Sequence, residues 1–188
     1  MIRFEKVSFE EYKRAFVENF GQTYKIEDDI LKKIYDNIKL PKRSTSGSAG
    51  YDFFAPFNIH MPGEQLKTSV IKPEEVKLMR DYITIPTGIR FVTDRDDIVL
   101  ICVPRSGLGF KYGMKLRNTT GVIDSDYQYA KNEGHIQAKL GSEMGVDIEM
   151  GKAFMQGIIV PFLTVDDETT EDMQERTGGF GSTDAKKE

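Results

Sequence analysis

The sequence predicts an all-β domain, a sandwich or a barrel, with two short helices in front of it. From Tyr51 onward, short runs rich in Val, Ile, Phe and Thr are broken about every eight to twelve residues by Gly, Pro or Asp. No longer helical patterns separate these runs, which argues against a parallel α/β sheet. Strands are expected near residues 51–60, 82–92, 97–103, 113–118, 134–140 and 146–163.

The two predicted helices are short and amphipathic. Ser8 and Glu11 have the spacing of a capping box at the start of the first helix, residues 8–20. The second, residues 26–39, ends before Pro41 because proline cannot continue a helix. The apolar stripe of the first helix is expected to consist of Phe9, Tyr12, Phe16, Val17 and Phe20.

The pattern divides the chain into three segments: a helical N-terminal extension (1–40), a β-domain (41–163) and a C-terminal arm (164–188). Residues 64–81 begin a helix-like pattern at Lys-Pro-Glu-Glu and are interpreted as an insertion in the β-domain. The arm is acidic and nearly free of apolar residues before it ends in glycines, so it is expected to be flexible.

Composition limits the classes of partner. A net charge of −4 argues against a broad nucleic-acid surface, and no apolar run approaches the roughly 20 residues that span a membrane. The charged N-terminus does not resemble a signal peptide, so we expect a cytoplasmic protein, or one of the host-cell cytoplasm if its origin is viral. Cys102 lies in an apolar run and is predicted to be a buried, unreactive thiol.

One polar segment, residues 103–109, follows a predicted buried strand. Its Arg105 can bind a phosphate through two parallel hydrogen bonds, and Ser106 can donate another. The segment is not a Walker loop, because GxxxxGK is absent. Ser106 is disfavoured as a hydrolase nucleophile, since neither His60 nor His135 has a recognisable triad context.

A second polar segment, residues 118–127, has the pattern of a β-hairpin arm that ends in an acid. A carboxylate such as Asp124 can deprotonate water beside a bound triphosphate, although Asp124 and Asp126 alone are more often turn formers. Asp52 has the same ambiguity, since it can cap a turn or hold magnesium-bound waters. Mg²⁺ is the expected cofactor because it neutralises a triphosphate that this acidic chain does not.

The third polar segment, residues 176–183, can form a phosphate clamp. Its glycine amides point freely at an anion, and Phe180 has no local apolar neighbours, so its ring can stack on a base. A flexible Gly-Ser tail is the alternative interpretation.

Taken in order, the motifs GSAGYD (47–52), PRSGL (104–108), NTTGVIDSDY (118–127) and GGFGST (178–183), with a Gln-bearing strand, resemble the homotrimeric dUTP pyrophosphatase (dUTPase) family. The resemblance spans residues 38–184. It implies a jelly-roll (β-clip) subunit, three active sites at the interfaces of a homotrimer, and an arm that closes over the substrate. The activity implied is Mg-assisted attack of water on the α-phosphate of dUTP, giving dUMP and pyrophosphate.

The resemblance also implies a role for each matching residue. Asp124 matches the base that activates water, Tyr127 the ring that packs against deoxyribose, and Asp52 an acid near the magnesium, through water. The other substrate-binding matches are Arg105, Ser106, Gly107 and Gln156 for the phosphates; Asn118, Gly121, Val122, Ile123 and Gln137 for uracil; and Arg176, Phe180, Gly181, Ser182 and Thr183 in the arm.

The sequence departs from the family pattern in several ways. QYAKNEGHI (128–136) replaces a shorter turn after Tyr127, and the N-terminal helices and residues 64–81 have no counterpart in the minimal family pattern. Two further departures concern the phosphate contacts. Ala153 stands where an arginine is common, and Arg176 is one residue closer than usual to Phe180. A dCTP deaminase is the nearest alternative, but the acid that such an enzyme carries on the next strand is absent from residues 134–140. A nucleotide-switched regulatory protein is the other, with a protein partner bound by the N-terminal helices or residues 64–81.

Overall fold

A computed structural model describes residues 1–21, 26–63 and 82–166 of the chain. The predicted insertion (64–81) and the arm from residue 167 onward lie outside the described residues. The strands are β1 (Ile2–Lys6), β2 (Lys42–Arg43), β3 (Gly50–Phe54), β4 (Ile59–Met61), β5 (Ile83–Pro86), β6 (Ile89–Thr93), β7 (Ile98–Pro104), β8 (Lys115–Leu116), β9 (Gly121–Ile123), β10 (Gln137–Gly141), β11 (Val146–Ile148) and β12 (Ala153–Pro161). The helices are α1 (Phe9–Phe20), α2 (Asp28–Asp36) and α3 (Ser106–Tyr112), and a 3-10 turn covers Ser125–Tyr129.

The strands form an all-β jelly-roll core, as predicted, and every strand pair is antiparallel. The largest sheet has the order β2-β3-β12-β7-β9, beside the sheets β5-β10-β8, β1-β6 and β4-β11. Apolar side chains from these sheets pack into one core, with Phe53, Leu100, Leu140 and Phe154 at most 1% exposed. In the described ranges, no helix is long and apolar enough to cross a membrane.

Several predicted strands are divided in the structure. The range 82–92 breaks between β5 and β6, where Gly88 adopts a left-handed φ of 71° and its carbonyl accepts a hydrogen bond from Val7 N–H. The ranges 51–60 and 146–163 each contain two strands as well. The prediction missed four elements: β1, β2, α3 and the 3-10 turn. Strand β1 lies in the predicted helical extension and pairs with β6 of the β-domain. Helix α3 lies where a loop is expected.

Helix α1 begins as predicted, but its capping box is only half formed. The Ser8 hydroxyl accepts a hydrogen bond from Glu11 N–H at 3.1 Å, whereas the Glu11 carboxylate turns away to bind His135 and Arg14. The predicted stripe was wrong at Val17, which is 52% exposed. The buried face instead includes Glu11 and Ala15, because the helix packs a carboxylate against His135.

The Glu11–His135 contact fixes the protonation of a wholly buried histidine. Gly88 N–H donates to His135 Nε2 at 2.9 Å, so the ring proton is on Nδ1 and points at Glu11 Oε1, 3.0 Å away. Burial by itself raises the pKa of Glu11, but hydrogen bonds from His135 and Arg14 outweigh it and hold this pKa below its ordinary value. The ionised carboxylate therefore stabilises the docking of α1 on the β-core.

We expect Glu11→Ala to lower the free energy of unfolding by about 1–3 kcal/mol at pH 7, because it leaves the buried His135 N–H without its acceptor. Since the pKa of Glu11 is lowered on folding, this contribution is complete above the ordinary pKa range of glutamate and is lost as the pH falls through the lower folded pKa. Urea unfolding between pH 3 and 7 measures the difference. The exposed neighbour Glu10→Ala, expected to change stability by under about 0.5 kcal/mol, is the control; a difference between the parent and Glu11→Ala that stays constant with pH would contradict the assignment.

Candidate active site

The predicted hairpin lies along the edge of the largest sheet. Strand β9 pairs with β7 in the register Cys102↔Gly121, Ile101↔Val122 and Leu100↔Ile123. A Cβ atom at Gly121 would lie 3.1 Å from the Cβ of Cys102, so glycine allows this close approach. The pairing places three predicted substrate-binding residues in one extended row.

This row forms part of the wall of a cavity of about 280 Å³, close to the lower end of the size range for small-molecule pockets. Six predicted residues line it: Asn118, Gly121, Val122, Ile123, Tyr127 and Gln137. Sequence reasoning missed the other lining residues, which are Cys102, Leu116, Thr120, Ile136 and Met155. Most of these are apolar strand residues, whose pattern does not distinguish a cavity wall from a core. We call this space the hairpin cavity.

The ring of Tyr127 is held from behind by two hydrogen bonds. Its hydroxyl donates to the His135 carbonyl at 3.1 Å and accepts from Asn132 Nδ2 at 2.7 Å. Gly134 adopts a φ of 71°, and a Cβ there would lie 2.8 Å from the carbonyl oxygen of Tyr127. The loop 130–136 therefore packs closely behind the tyrosine and fixes the ring that faces the cavity.

Asp124 follows β9 directly and lies between two residues of the cavity wall in the chain, Ile123 and Tyr127. It is half-buried and occupies the N-cap of the 3-10 turn, where its carbonyl accepts from Tyr127 N–H at 3.2 Å. Within residues 82–166, its carboxylate makes no capping hydrogen bond to this turn. The turn is anchored instead by Gln128, whose amide donates to the carbonyls of Thr93 and Ser125. Capping therefore does not account for an acid at position 124.

The predicted phosphate contacts Arg105 and Ser106 lie in a different cavity, of about 330 Å³. They start helix α3, in which Gly107 is the second residue but not a wall residue. The full wall consists of Pro104, Arg105, Ser106, Gly109, Phe110 and Met114. No described residue lines both cavities, and Asp124 is on the wall of neither. Its chain neighbour Ile123 lines the hairpin cavity, whereas Arg105 lines the other.

Asp52 holds Arg105 in place. Its Oδ1 is 3.5 Å from Arg105 Nε, and its Oδ2 accepts a hydrogen bond from the Ser44 hydroxyl at 2.6 Å. Across the β3–β12 ladder, Asp52 pairs with Gln156, which in turn pairs with Val103 of β7. Arg105, Asp52 and Gln156 are therefore neighbours at one end of the largest sheet.

These contacts restrict how a magnesium ion can be held. The described residues contain no cluster of three or more His, Cys, Asp or Glu side chains with the arrangement of a metal site. Mg²⁺ often binds through one or two carboxylates together with substrate phosphates and water. This donor set suits a metal that arrives with phosphates. Both carboxylate oxygens of Asp52 already have protein partners, Arg105 and Ser44.

Cys102 is 2% exposed, and burial raises the pKa of its thiol to about 12. The prediction of a buried thiol is confirmed, and the residue also lines the hairpin cavity. Its low reactivity stays a prediction. The predicted arm residues Arg176, Phe180, Gly181, Ser182 and Thr183 lie outside the described residues.

Comparison with known proteins supports one family. The model of the dUTPase family matches residues 66–184. A deoxyuridine 5'-triphosphate nucleotidohydrolase of Lactococcus lactis is 40% identical over 151 residues, covering 79% of this chain and 89% of the relative. That of Hahella chejuensis is 33% identical over 158 residues, covering 82% and 93%. A crystal structure of dUTPase from Streptococcus mutans superposes with a TM-score of 0.57 at 27% identity, covering 87% of this chain and 98% of the other.

Gly50 provides a test of the prediction that Gln156 binds a phosphate. A Cβ at Gly50 would lie 2.2 Å from Gln156 Oε1, so Gly50→Ala must displace the flexible amide of Gln156. We expect affinity for a non-hydrolysable nucleoside triphosphate to fall about tenfold through loss of one hydrogen bond to a charged group. Calorimetric titration measures it. Gly47→Ala is the control, because nothing lies within 4 Å of its added methyl group; equal affinity of the two variants would rule out this role.

Proposed function

Because this chain belongs to the dUTPase family, we propose that it hydrolyses dUTP to dUMP and pyrophosphate with Asp124 as the general base. The observation that carries this assignment is the hairpin cavity. Its wall includes the edge strand β9 and Tyr127, and in the sequence Asp124 stands between these two wall elements. Main-chain groups of Gly121–Ile123 offer donors and acceptors to the edge of a uracil ring. The Tyr127 ring provides a flat wall for the deoxyribose.

The reaction needs one proton acceptor and no covalent intermediate. The Asp124 carboxylate takes a proton from water as the water oxygen forms a bond to the α-phosphorus. The bond between that phosphorus and the oxygen bridging to the β-phosphate breaks, and pyrophosphate leaves with the electron pair. Half-burial of Asp124 keeps it close to both bulk water and the bound sugar.

The phosphates are bound by the second group of residues. Arg105, held by Asp52, offers a guanidinium, Ser106 a hydroxyl, and Gln156 an amide at the same end of the sheet. When bound to the triphosphate, Mg²⁺ neutralises charge on the phosphate oxygens. Asp52, whose carboxylate oxygens contact Arg105 and Ser44, would hold this ion through water. The arm residues Arg176, Phe180, Gly181, Ser182 and Thr183 are proposed to close over the bound nucleotide.

The active site is proposed to be assembled from more than one copy of the chain, in a homotrimer. In the described residues, the hairpin cavity and the Arg105 cavity have no wall residue in common. Phe110, on the wall of the Arg105 cavity, is 95% exposed, and Val122 of the hairpin is 56% exposed. Both cavities thus expose apolar surface that a second subunit can cover. A protein partner for the N-terminal helices or residues 64–81 stays a prediction.

We expect Asp124→Asn to lower kcat for dUTP by about 10²–10⁴-fold with a KM within a few-fold of the parent, because an amide cannot accept the proton. Turnover of dUTP, dCTP, UTP and dTTP is measured with and without Mg²⁺. Asp96→Asn, in an exposed loop, removes the same charge away from both cavities and should behave as the parent. Undiminished dUTP turnover by Asp124→Asn, or release of ammonia from dCTP by the parent, would overturn the proposal.

Mixed subunits test the sharing of active sites. If Asp124 and Arg105 of one site come from different subunits, co-refolding equal amounts of Asp124→Asn and Arg105→Ala chains rebuilds about one quarter of the sites, by random assembly in a three-fold ring. The expected kcat of the mixture is about a quarter of the parental value, whereas each variant alone stays nearly inactive. Activity of the mixture no higher than the mean of the separate variants would show that each site is contained in one chain.

A further inference from the structure

Helix α1 is joined to the strip of chain that passes behind the hairpin cavity. Along residues 133–137, three side-chain contacts reach this helix or its cap: Ser8 binds Glu133 through its amide and hydroxyl, Glu11 binds His135, and Asn19 binds Gln137. The strip ends at Gln137, which lines the cavity. Helix α1 is therefore connected by side-chain contacts to the wall of the hairpin cavity, where the uracil base is proposed to bind.

The contact at Asn19 determines how the amide of Gln137 is oriented. Asn19 Nδ2 donates to the carbonyl of Ala15 at 2.8 Å, and a carbonyl can only accept, so the NH₂ end of Asn19 is fixed at this position. The same nitrogen donates to Gln137 Oε1 at 3.0 Å. With its oxygen engaged by Asn19, the Gln137 amide has its NH₂ group to offer to the cavity.

We propose that Asn19 is a positioning residue for base selectivity, acting through Gln137; this inference rests on the proposed hydrolysis of dUTP. The NH₂ group of Gln137 donates to the 4-keto oxygen of uracil. Cytosine carries an amino group at that position, so two donors would face each other and both would lose a partner on leaving water. Helix α1 thereby favours dUTP over dCTP without touching either nucleotide.

The other two contacts keep the strip in register with the cavity. The carbonyl of His135 accepts a hydrogen bond from the Tyr127 hydroxyl. The imidazole ring of His135 is held between Glu11 and Gly88. The backbone between the sugar-binding ring and Gln137 is thus fixed at His135, two residues from the amide that Asn19 orients. Asn19 therefore controls how the side-chain amide of Gln137 is rotated.

The test reverses the amide. In Asn19→Asp the carboxylate can only accept, so Gln137 turns its NH₂ group toward the helix and its oxygen toward the cavity. We expect the ratio of kcat/KM for dUTP to that for dCTP to fall roughly 10- to 100-fold. The ratio of affinities for dUMP and dCMP, measured by calorimetry, should fall in the same direction, while kcat for saturating dUTP changes less.

Matched variants separate this effect from damage to a helix. Asn37→Asp is the control, because Asn37 makes the same hydrogen bond to the carbonyl four residues earlier, Lys33, at 2.8 Å in α2, and is not part of the cavity wall. Its selectivity should be parental. In a Gln137→Ala background, Asn19→Asp should have no further effect on the ratio.

Each outcome decides between the two claims. A parent that does not prefer dUTP would overturn the proposed function itself. A selective parent with an unchanged ratio in Asn19→Asp, or an equal fall of the ratio with and without Gln137, would overturn only the role of Asn19. Should Asn19→Asp unfold, Asn19→Ala with ¹⁵N spectra of the Gln137 amide replaces it: the dUMP-induced shift of the NH₂ signal must weaken, and a parental shift rejects the proposal.

Discussion

The ladder of hydrogen bonds on both sides of β7 is the constraint on which the site depends. Strand β12 pairs with β7 along Ile98–Pro104, and β9 pairs with its middle. Buried peptide groups must find partners, so the register of this strand is strongly specified. That register sets Gly121 beside Cys102 and Gln156 beside Val103, and it places Arg105 at the first residue after the strand ends. A slip of one residue would turn every one of these side chains to the opposite face.

The N-terminal segment packs against the same β-core that positions the site. Strand β1 adds to β6, and α1 covers the loop behind Tyr127 with buried apolar residues and one buried carboxylate. The contact between Glu11 and His135 has a cost in desolvation that only good hydrogen bonding offsets. Both groups meet this condition, since Arg14 also binds Glu11 and Gly88 binds the second ring nitrogen. The helix is thus held in one position relative to the cavity.

The sequence was informative where a residue type has a local reason for its position. Ser8 could be predicted as a helix cap because capping follows from a short stretch of chain. Gly121 was identified only through its family motif, because its close approach to Cys102 joins two separate strands. Helix α3 was missed because Ser106, Gly107 and Gly109 are poor helix formers; it ends at Gly113, whose φ of 63° permits a left-handed cap. Cys102 and Met155 were missed as cavity residues because an apolar strand residue has the same sequence pattern whether it packs in a core or lines a ligand cavity. The pairing of Asn19 with Gln137 joins residues 118 positions apart, a separation that no periodic pattern encodes.

Burial of Cys102 affects how oxidants can modify the protein. With the thiol pKa raised to about 12, almost no thiolate exists at neutral pH, and oxidants and alkylating agents react with thiolate. The chain has this single cysteine. Met144 and Met150 are about half exposed and lie on neither cavity wall, so their thioethers are more accessible to peroxide than the Cys102 sulfur. Sulfoxides at Met144 and Met150 therefore leave both cavity walls chemically unchanged, whereas the methionines on those walls, Met114 and Met155, are buried.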